Sequence, residues 1–197
     1  MQTLDFFLEF ASTYSYLAAM RIGPLAQGAR IKVRWRPFLL GPIFQAQGWN
    51  NSPFNLYLAK GRYMWRDLER LTAELGLPFR RPEPFPQSSL LAARVALVGI
   101  AESWGEAFCR ATFVAEFGEG RQIADKTVIA ELLRELGVEP QRVLERAQTD
   151  EIKTKLRAET EAAKALGVFG APTFVTADGE LFWGNDRLEQ ALAWASQ

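Results

Sequence analysis

Alternating strand patterns at both ends of the chain enclose a long helical middle, and this order restricts the possible folds more than any other feature. Apolar side chains alternate with other residues from Thr3 to Phe10 and again from Lys32 to Pro37, with a polar turn and a helical stretch between them. Period-two alternation predicts strands, and a segment of about 40 residues is long enough for a parallel crossover. The chain is therefore predicted to begin with a β-α-β unit.

The C-terminal part returns to strands and ends in a helix. The pair Asp178-Gly179 separates two apolar runs and predicts a tight hairpin turn, because these residue types accept the positive φ that such turns need. The last helix is predicted to begin with a capping box formed by Asp186 and Glu189. Its buried face is expected to contain Leu188, Ala191, Leu192 and Ala195.

Apolar residues recur at helical spacing through the middle of the chain. Several of these runs stop at a glycine, as at Gly76, Gly137 and Gly167, which is typical of a helix C-terminus. Asp125 is a candidate N-cap for one of the helices. Residues 38–54, which precede the helical part, are rich in Gly, Asn and Pro with several apolar anchors, and they predict a long ordered loop.

Without the helical middle, the remaining elements follow the order of a thioredoxin. We therefore expect an α/β protein, a thioredoxin-like fold with an inserted all-helical domain. Residues 1–40 and 160–197 would form the discontinuous thioredoxin-like domain, and residues 41–159 the inserted helical domain.

Two residue counts exclude much of the usual catalytic chemistry. The 197 residues contain no histidine, which excludes Ser-His-Asp and Cys-His nucleophiles and every histidine-ligated metal site. The single cysteine, Cys109, excludes intrachain disulfides, Cys-x-x-Cys redox chemistry and cysteine-rich zinc sites. Its apolar surroundings favour a buried position. No metal site is expected.

Charge and hydropathy limit the partners. The chain has 23 basic and 23 acidic residues and a formal net charge of +0, whereas nucleic acids and anionic membrane surfaces require a clustered basic face. No apolar run approaches the length of about 18 residues that a membrane span needs. The first residues lack the basic region of a signal peptide. We expect a cytoplasmic protein that binds neither nucleic acid nor membranes.

Five segments, taken together, resemble one enzyme family. They are, in chain order, DFFLEFASTYSYLA, GWNNSPFNLYLAKGRYM, FPQSSLLAAR, GVFGAPTF and FWGNDRL. This set resembles the 2-hydroxychromene-2-carboxylate isomerases, the bacterial relatives of kappa-class glutathione transferases, and the resemblance covers nearly the whole chain. It implies a thioredoxin domain interrupted by a helical domain, glutathione as cofactor, a small aromatic carboxylate as substrate, and a homodimer.

Ser12 lies where thioredoxin-fold oxidoreductases carry the Cys-x-x-Cys motif, at the start of the first helix. A serine in such a place commonly does no more than cap the helix. The resemblance implies that Ser12 contacts the sulfur of glutathione, although Thr13 stands where the family usually has proline. A hydrogen bond to a charged group contributes about 1.5–3 kcal/mol, and a helix N-terminus about 0.3–1 kcal/mol. Together they could lower the pKa of a thiol from about 8.5 by roughly two units.

The resemblance assigns further glutathione contacts near the C-terminus. It implies a cis bond between Ala171 and Pro172, with the Ala171 backbone offered to the peptide backbone of glutathione. Asn185, Asp186 and Arg187 would bind the γ-glutamyl group, with the carboxylate at the helix N-terminus and the ammonium at Asp186. Without the resemblance, Pro172 could simply begin a strand and Asp186 could simply cap the last helix.

The resemblance also points to residues that precede and open the helical part. A contacting asparagine is either Asn50 or Asn51, because the chain carries one extra residue there. Lys60 is a candidate cation for the carboxylate of the substrate or of the glycine of glutathione, or else an exposed lysine at a helix start. Ser88 and Ser89 stand where the family often has Asn-Thr lining the substrate pocket, and either could instead cap the next helix.

Three functions remain open at the level of sequence. The first is a glutathione-dependent isomerase that interconverts 2-hydroxychromene-2-carboxylate and trans-o-hydroxybenzylidenepyruvate by thiolate addition, bond rotation and elimination. The second is a kappa-like glutathione transferase or peroxidase that acts on other electrophiles. The third is a non-catalytic thioredoxin-fold module that binds an extended peptide beside Pro172 and has no affinity for glutathione.

Overall fold

A four-stranded mixed sheet forms one part of the computed structural model, which describes residues 2–49 and 51–197. Its strands are β1 (Thr3–Leu8), β2 (Lys32–Pro37), β3 (Thr173–Thr176) and β4 (Leu181–Trp183), in the spatial order β2-β1-β3-β4. β1 pairs in parallel with β2, and β3 pairs in antiparallel fashion with β1 and β4. The predicted β-α-β unit, the hairpin and the thioredoxin-like fold class are confirmed.

Helices fill most of the chain between β2 and β3, and further helices lie between β1 and β2 and after β4. They are α1 (Thr13–Ala29), α2 (Leu40–Ala46), α3 (Pro53–Leu56), α4 (Leu58–Leu75), α5 (Leu90–Ala101), α6 (Gly105–Phe113), α7 (Lys126–Glu135), α8 (Pro140–Arg146), α9 (Asp150–Ala165) and α10 (Leu188–Ala195). A π-helical turn, Val114–Gly118, continues α6, and a 3₁₀ turn, Asn185–Arg187, precedes α10. In the described part of the chain, no helix combines the length and the hydropathy needed to cross a bilayer. The division at residues 41 and 159 remains a prediction.

Local signals explain where several helices begin and end. The side chains of Ser12, Asp125 and Thr149 each accept a hydrogen bond from a backbone N–H in the first turn of the helix that follows, which satisfies a donor that the helix itself cannot. Gly76 ends α4 with φ 65°, a left-handed conformation that suits glycine. The boundaries at Ser12, Asp125 and Gly76 agree with the predicted ones.

Both faces of the sheet are buried. Phe6 packs on one side with Trp35 and Phe174, whereas Phe7 packs on the other side against Phe38. Helices that cover both faces leave no outward side for the alternating polar residues of β1. Asp5 is consequently buried, and it forms ion pairs with Arg34 and Arg36 of β2.

Residues 38–54 are not a loop throughout, and that prediction is wrong. They contain all of α2 and the start of α3. Pro42 lies in the first turn of α2, where its missing N–H breaks no helical hydrogen bond. Pro53 begins α3, and the Ser52 side chain accepts a hydrogen bond from the N–H of Phe54. Prolines in helix-starting positions therefore look like loop residues when only composition is considered.

The predicted capping box of the last helix is also wrong. α10 begins at Leu188, after a 3₁₀ turn that follows Gly184. The Asp186 side chain therefore forms no capping hydrogen bond with α10. Glu189 forms an ion pair with Arg21 of α1 instead. The predicted apolar face is nevertheless present, because Leu188, Ala191 and Leu192 are buried and Ala195 is partly buried. A contact between distant parts of the chain has replaced the local cap.

Candidate functional site

A cavity of about 1060 Å³ lies where the start of α1 meets both the helical part of the chain and the hairpin segments. Small-molecule sites usually enclose roughly 300–1,000 Å³, so this cavity is at the upper end of the range. The predicted site residues that line it are Ser12, Asn51, Lys60, Ser88, Ser89, Ala171, Asn185 and Asp186. Pro172 and Arg187 do not line it, and Asn50 lies outside the described residues.

Ser12 connects the two ends of the thioredoxin-like part. Its backbone is extended, with φ −92° and ψ 114°, and its Oγ accepts a hydrogen bond of 3.3 Å from the N–H of Ser15. The hydroxyl donates to the carbonyl oxygen of Ala171 at 2.8 Å. The bond between Ala171 and Pro172 is cis, as predicted. The helix start and the segment before Pro172 thus form one continuous wall of the cavity.

Arg21 of α1 holds Asn185 in a defined orientation. Its Nη1 donates to Asn185 Oδ1 at 2.9 Å and to the Asn185 carbonyl oxygen at 3.2 Å. Asn185 is 7% exposed and lines the cavity. Because Oδ1 already accepts from Arg21, a ligand would be bound by the Nδ2 group, which is the donor end of the amide. No local sequence signal pointed to Arg21, because its partners lie far away in the chain.

Charged groups of both signs stand at the cavity. Lys60 is exposed, and its Nζ lies 5.5 Å from the centre of the Phe54 ring. The Asp186 side chain is 74% exposed, and Arg187 Nη2 lies 3.8 Å from its Oδ2. A ligand with separated positive and negative ends would find a partner for each end here.

Ser88, Ser89 and Asn51 differ in their exposure and in the hydrogen bonds that they form. Ser89 is buried at the N-cap position of α5, but its side chain forms no capping hydrogen bond and its hydroxyl instead donates a hydrogen bond to Glu9, so the capping alternative is wrong for its side chain. Ser88 is exposed to the cavity. Asn51 Oδ1 accepts hydrogen bonds from the N–H of Ser52 and from the Asn55 amide. Asn51 is thereby fixed within its own segment.

Aromatic side chains form an apolar wall that the sequence analysis did not identify. Phe44 and Trp49 pack with their ring centres 5.6 Å apart, and Phe169 and Trp183 with theirs 5.1 Å apart. The further aromatic rings at the cavity belong to Phe54, Tyr63 and Phe85. They come from separate segments, so no local pattern could have grouped them. Such a wall suits a flat, apolar ligand.

Two buried or half-buried acidic groups of the cavity differ in their protonation. The Tyr14 hydroxyl donates to Asp67 Oδ2 at 3.0 Å, and burial together with this bond raises the pKa of Tyr14, so that the phenol stays protonated. Burial raises the pKa of Glu9 to about 7, against the opposing effects of the Ser89 hydrogen bond and the Ala11 backbone. Glu9 is thus a carboxyl group that exchanges a proton near neutral pH.

Cys109 lies in the core on α6 and is 0% exposed, which confirms the predicted buried position. Burial also raises the pKa of its thiol. We expect the native protein to resist a maleimide reagent under conditions in which a free thiol reacts fully. After unfolding in guanidinium chloride, mass spectrometry should show one modified cysteine per chain. Rapid modification of the native protein would contradict the buried position.

Comparisons with known proteins identify the family of the chain. A family profile, the DsbA-like thioredoxin domain, matches residues 3–193. The chain is 30% identical over 189 residues to 2-hydroxychromene-2-carboxylate isomerase from Sphingobium xenophagum, and the match covers 95% of each chain. It is 28% identical over 201 residues to human glutathione S-transferase kappa 1, covering 95% of this chain and 88% of that protein.

A solved structure adds the three-dimensional comparison. The crystallised selenomethionine form of a 2-hydroxychromene-2-carboxylate isomerase superposes with a TM-score of 0.87 at 27% identity. The superposition covers 98% of this chain and 93% of that one. The family resemblance found in the five sequence segments is therefore confirmed.

Proposed function

We propose, because the chain belongs to the DsbA-like thioredoxin family and is related to the 2-hydroxychromene-2-carboxylate isomerases, that it is a glutathione-dependent isomerase. The substrate would be a small aromatic carboxylate, and the reaction the interconversion of 2-hydroxychromene-2-carboxylate and trans-o-hydroxybenzylidenepyruvate. The observation that carries the proposal is the position of Ser12. Its hydroxyl stands at the N-terminus of α1, beside Ala171 and on the wall of a large cavity.

Ser12 would stabilise glutathione as a thiolate. A serine hydroxyl without a neighbouring base is a poor nucleophile, but it is a good hydrogen-bond donor to a charged sulfur. The start of α1 adds the partial positive charge of a helix N-terminus. The thiolate would add to the conjugated system of the substrate and turn a double bond into a single bond. After rotation about that bond, elimination of the thiolate would restore the double bond in the other geometry.

The remaining contacts would hold the two ends of glutathione. Asn185 Nδ2 can donate to the α-carboxylate of the γ-glutamyl group, and the Asp186 carboxylate can bind the neighbouring ammonium. We assign the backbone of Ala171 to the central cysteine of glutathione. Arg187, which lies beside Asp186, would act from outside the cavity wall.

Lys60, Ser88 and the aromatic wall would receive the substrate. Lys60 is the basic side chain that we assign to a carboxylate, either of the substrate or of the glycine end of glutathione. The rings of Phe44 and Trp49 could cover the aromatic part and exclude water from the adduct. Asn51, whose oxygen is already engaged, would contribute through its amide N–H groups.

A kappa-like glutathione transferase is the second candidate. It is favoured by the relationship to kappa-class transferases from human and Caenorhabditis elegans, at 28% and 26% identity. Thr13 also stands where the isomerases usually have proline. For either activity we propose a cytoplasmic location, where glutathione keeps thiols reduced, and a homodimer as the family resemblance implies.

One set of assays separates these candidates. We expect the protein to bind glutathione in a titration calorimeter, and to isomerise 2-hydroxychromene-2-carboxylate only when glutathione is present. Conjugation of glutathione to 1-chloro-2,4-dinitrobenzene without isomerisation would favour the transferase. No binding at millimolar glutathione would contradict both enzymes and leave the peptide-binding module.

A further inference from the structure

Glu9 occupies a position in the cavity that the proposed reaction has not yet used. It follows β1 on the same short turn as Ser12, and its carbonyl oxygen accepts a hydrogen bond of 3.0 Å from the N–H of Ser12. Its carboxylate accepts a hydrogen bond from the hydroxyl of Ser89 and lies near the backbone N–H of Ala11. Glu9 is only 5% exposed, yet it lines the same cavity as the Ser12 hydroxyl.

The surroundings of Glu9 keep its carboxyl group close to the balance between its two charge states. Burial raises its pKa to about 7, which is far above the ordinary value of 4.5. Glu116 of the π-helical turn is fully buried near Glu9, and burial together with this neighbour raises the pKa of Glu116 well above its usual range. Burial thus favours the uncharged form of Glu116. The other titratable groups at the cavity are Tyr14, Lys60, Tyr63, Asp67 and Asp186.

The formation of a thiolate requires a group that takes the proton of the thiol. Ser12 can stabilise the sulfur but cannot take this proton, because its neutral hydroxyl is a very weak base. The Tyr14 phenol keeps its proton and uses it in a hydrogen bond to Asp67. The chain contains no histidine. A carboxylate whose affinity for protons is close to that of an activated thiol is well matched to accept this one.

Building on the glutathione-dependent function proposed above, we propose that Glu9 is the proton carrier of the site. Its carboxylate takes the thiol proton when glutathione binds and returns it when glutathione leaves. In this step the S–H bond breaks, its electron pair stays on sulfur, and an O–H bond forms on Glu9. Nothing is oxidised or reduced. The transfer also removes a charge that would repel the thiolate, because the protonated carboxyl group is neutral.

Proton release during glutathione binding tests this assignment. Calorimetric titrations at pH 7 in two buffers with different ionisation enthalpies give the protons released per glutathione, and thiolate absorbance gives the thiolate formed. In the wild-type protein, about half of the Glu9 carboxyl groups are ionised at pH 7 and can retain a proton. We therefore expect the wild type to release up to roughly half a proton less than the thiolate it forms.

Two variants of similar shape complete the experiment. In Glu9→Gln the amide keeps an acceptor for the Ser89 hydroxyl but cannot take a proton, so proton release should equal the thiolate formed. Glu116→Gln is the matched control, because Glu116 is just as buried, is already uncharged and does not line the cavity. It should behave like the wild type.

The outcomes distinguish this proposal from the proposed function. If wild type and Glu9→Gln both release as many protons as they form thiolates, Glu9 is not the carrier, although glutathione is still activated. If the wild type forms no thiolate, the glutathione-dependent function is overturned together with this proposal. Should Glu9→Gln fail to fold, infrared difference spectra of the wild type decide. Glutathione should then increase the C=O band of a protonated carboxyl at pH 7, and an unchanged band would overturn the assignment.

Discussion

Replacement of Ser12 by alanine is expected to lower the glutathione-dependent isomerisation rate at pH 7 by about 10- to 100-fold. This range corresponds to the loss of one hydrogen bond to a charged group, about 1.5–3 kcal/mol. The pKa of the bound thiol should rise towards about 8.5, and the loss in rate should therefore shrink at higher pH, where the thiol ionises without help. Rates and thiolate absorbance measured from pH 6 to pH 9 would show both effects.

The control for this variant is Ser15→Ala on the same turn. The Ser15 hydroxyl is buried without a hydrogen-bond partner among the described residues, whereas its backbone N–H, which donates to Ser12, is kept in the variant. Ser15→Ala should keep the wild-type rate and pH profile. The Ser12 hydroxyl also donates to the Ala171 carbonyl, and the variant removes this structural bond as well. A loss of rate in Ser12→Ala that does not depend on pH would show that Ser12 only shapes the turn. Melting temperatures of both variants would reveal such a structural effect.

Replacement of Glu116 by glutamine is expected to stabilise the protein, and increasingly so as the pH rises. Both carboxyl oxygens of Glu116 are buried without a hydrogen-bond partner in the described chain, and burial raises its pKa well above 4.5. The folded protein keeps Glu116 protonated, whereas the unfolded chain releases the proton above about pH 4.5. The contribution of Glu116 to the free energy of unfolding is therefore fully present below that pH and is lost as the pH rises. Glutamine has no proton to lose and avoids the penalty.

The size of this effect follows from proton linkage. Each pH unit between the two pKa values costs the wild type up to about 1.4 kcal/mol, so the advantage of Glu116→Gln should grow as the pH rises above about 4.5. Urea unfolding at several pH values gives the free energies of unfolding. Glu119→Gln, an exposed neighbour, should show no such growth. An advantage that is the same at every pH would mean that Glu116 is charged in the folded protein.

The elements that the sequence predicted correctly are those with local causes. β1 and β2 follow a period of two, and α7 and α10 follow the helical spacing of their apolar residues. Asp125 and Gly76 mark helix ends through their own side chain or backbone. Each of these signals acts within a few residues, so it is visible in the sequence before any tertiary contact forms.

The features that the sequence did not predict depend on contacts between distant segments. Arg21 holds the orientation of Asn185, and Glu189 pairs with the same arginine instead of capping α10. The unusual proton affinity of Glu9 requires its burial beside Ser89, which comes from a distant part of the chain, since the residue type alone gives an ordinary carboxylate. Family resemblance supplied candidate residues such as Ser12, but it could not supply these environments.

The hydrogen bond from Ser12 to the Ala171 carbonyl makes ligand binding an exchange of partners. A hydroxyl has a single proton, so Ser12 must release Ala171 before it can serve a sulfur. The Ala171 carbonyl could then accept the amide N–H of the incoming cysteine, so that the hydroxyl and the carbonyl would both remain hydrogen-bonded. A bare thiol brings no such N–H and would leave the carbonyl unsatisfied. Under the proposed function, the site would thus discriminate in favour of thiols that are part of a peptide before any contact with the ends of glutathione forms.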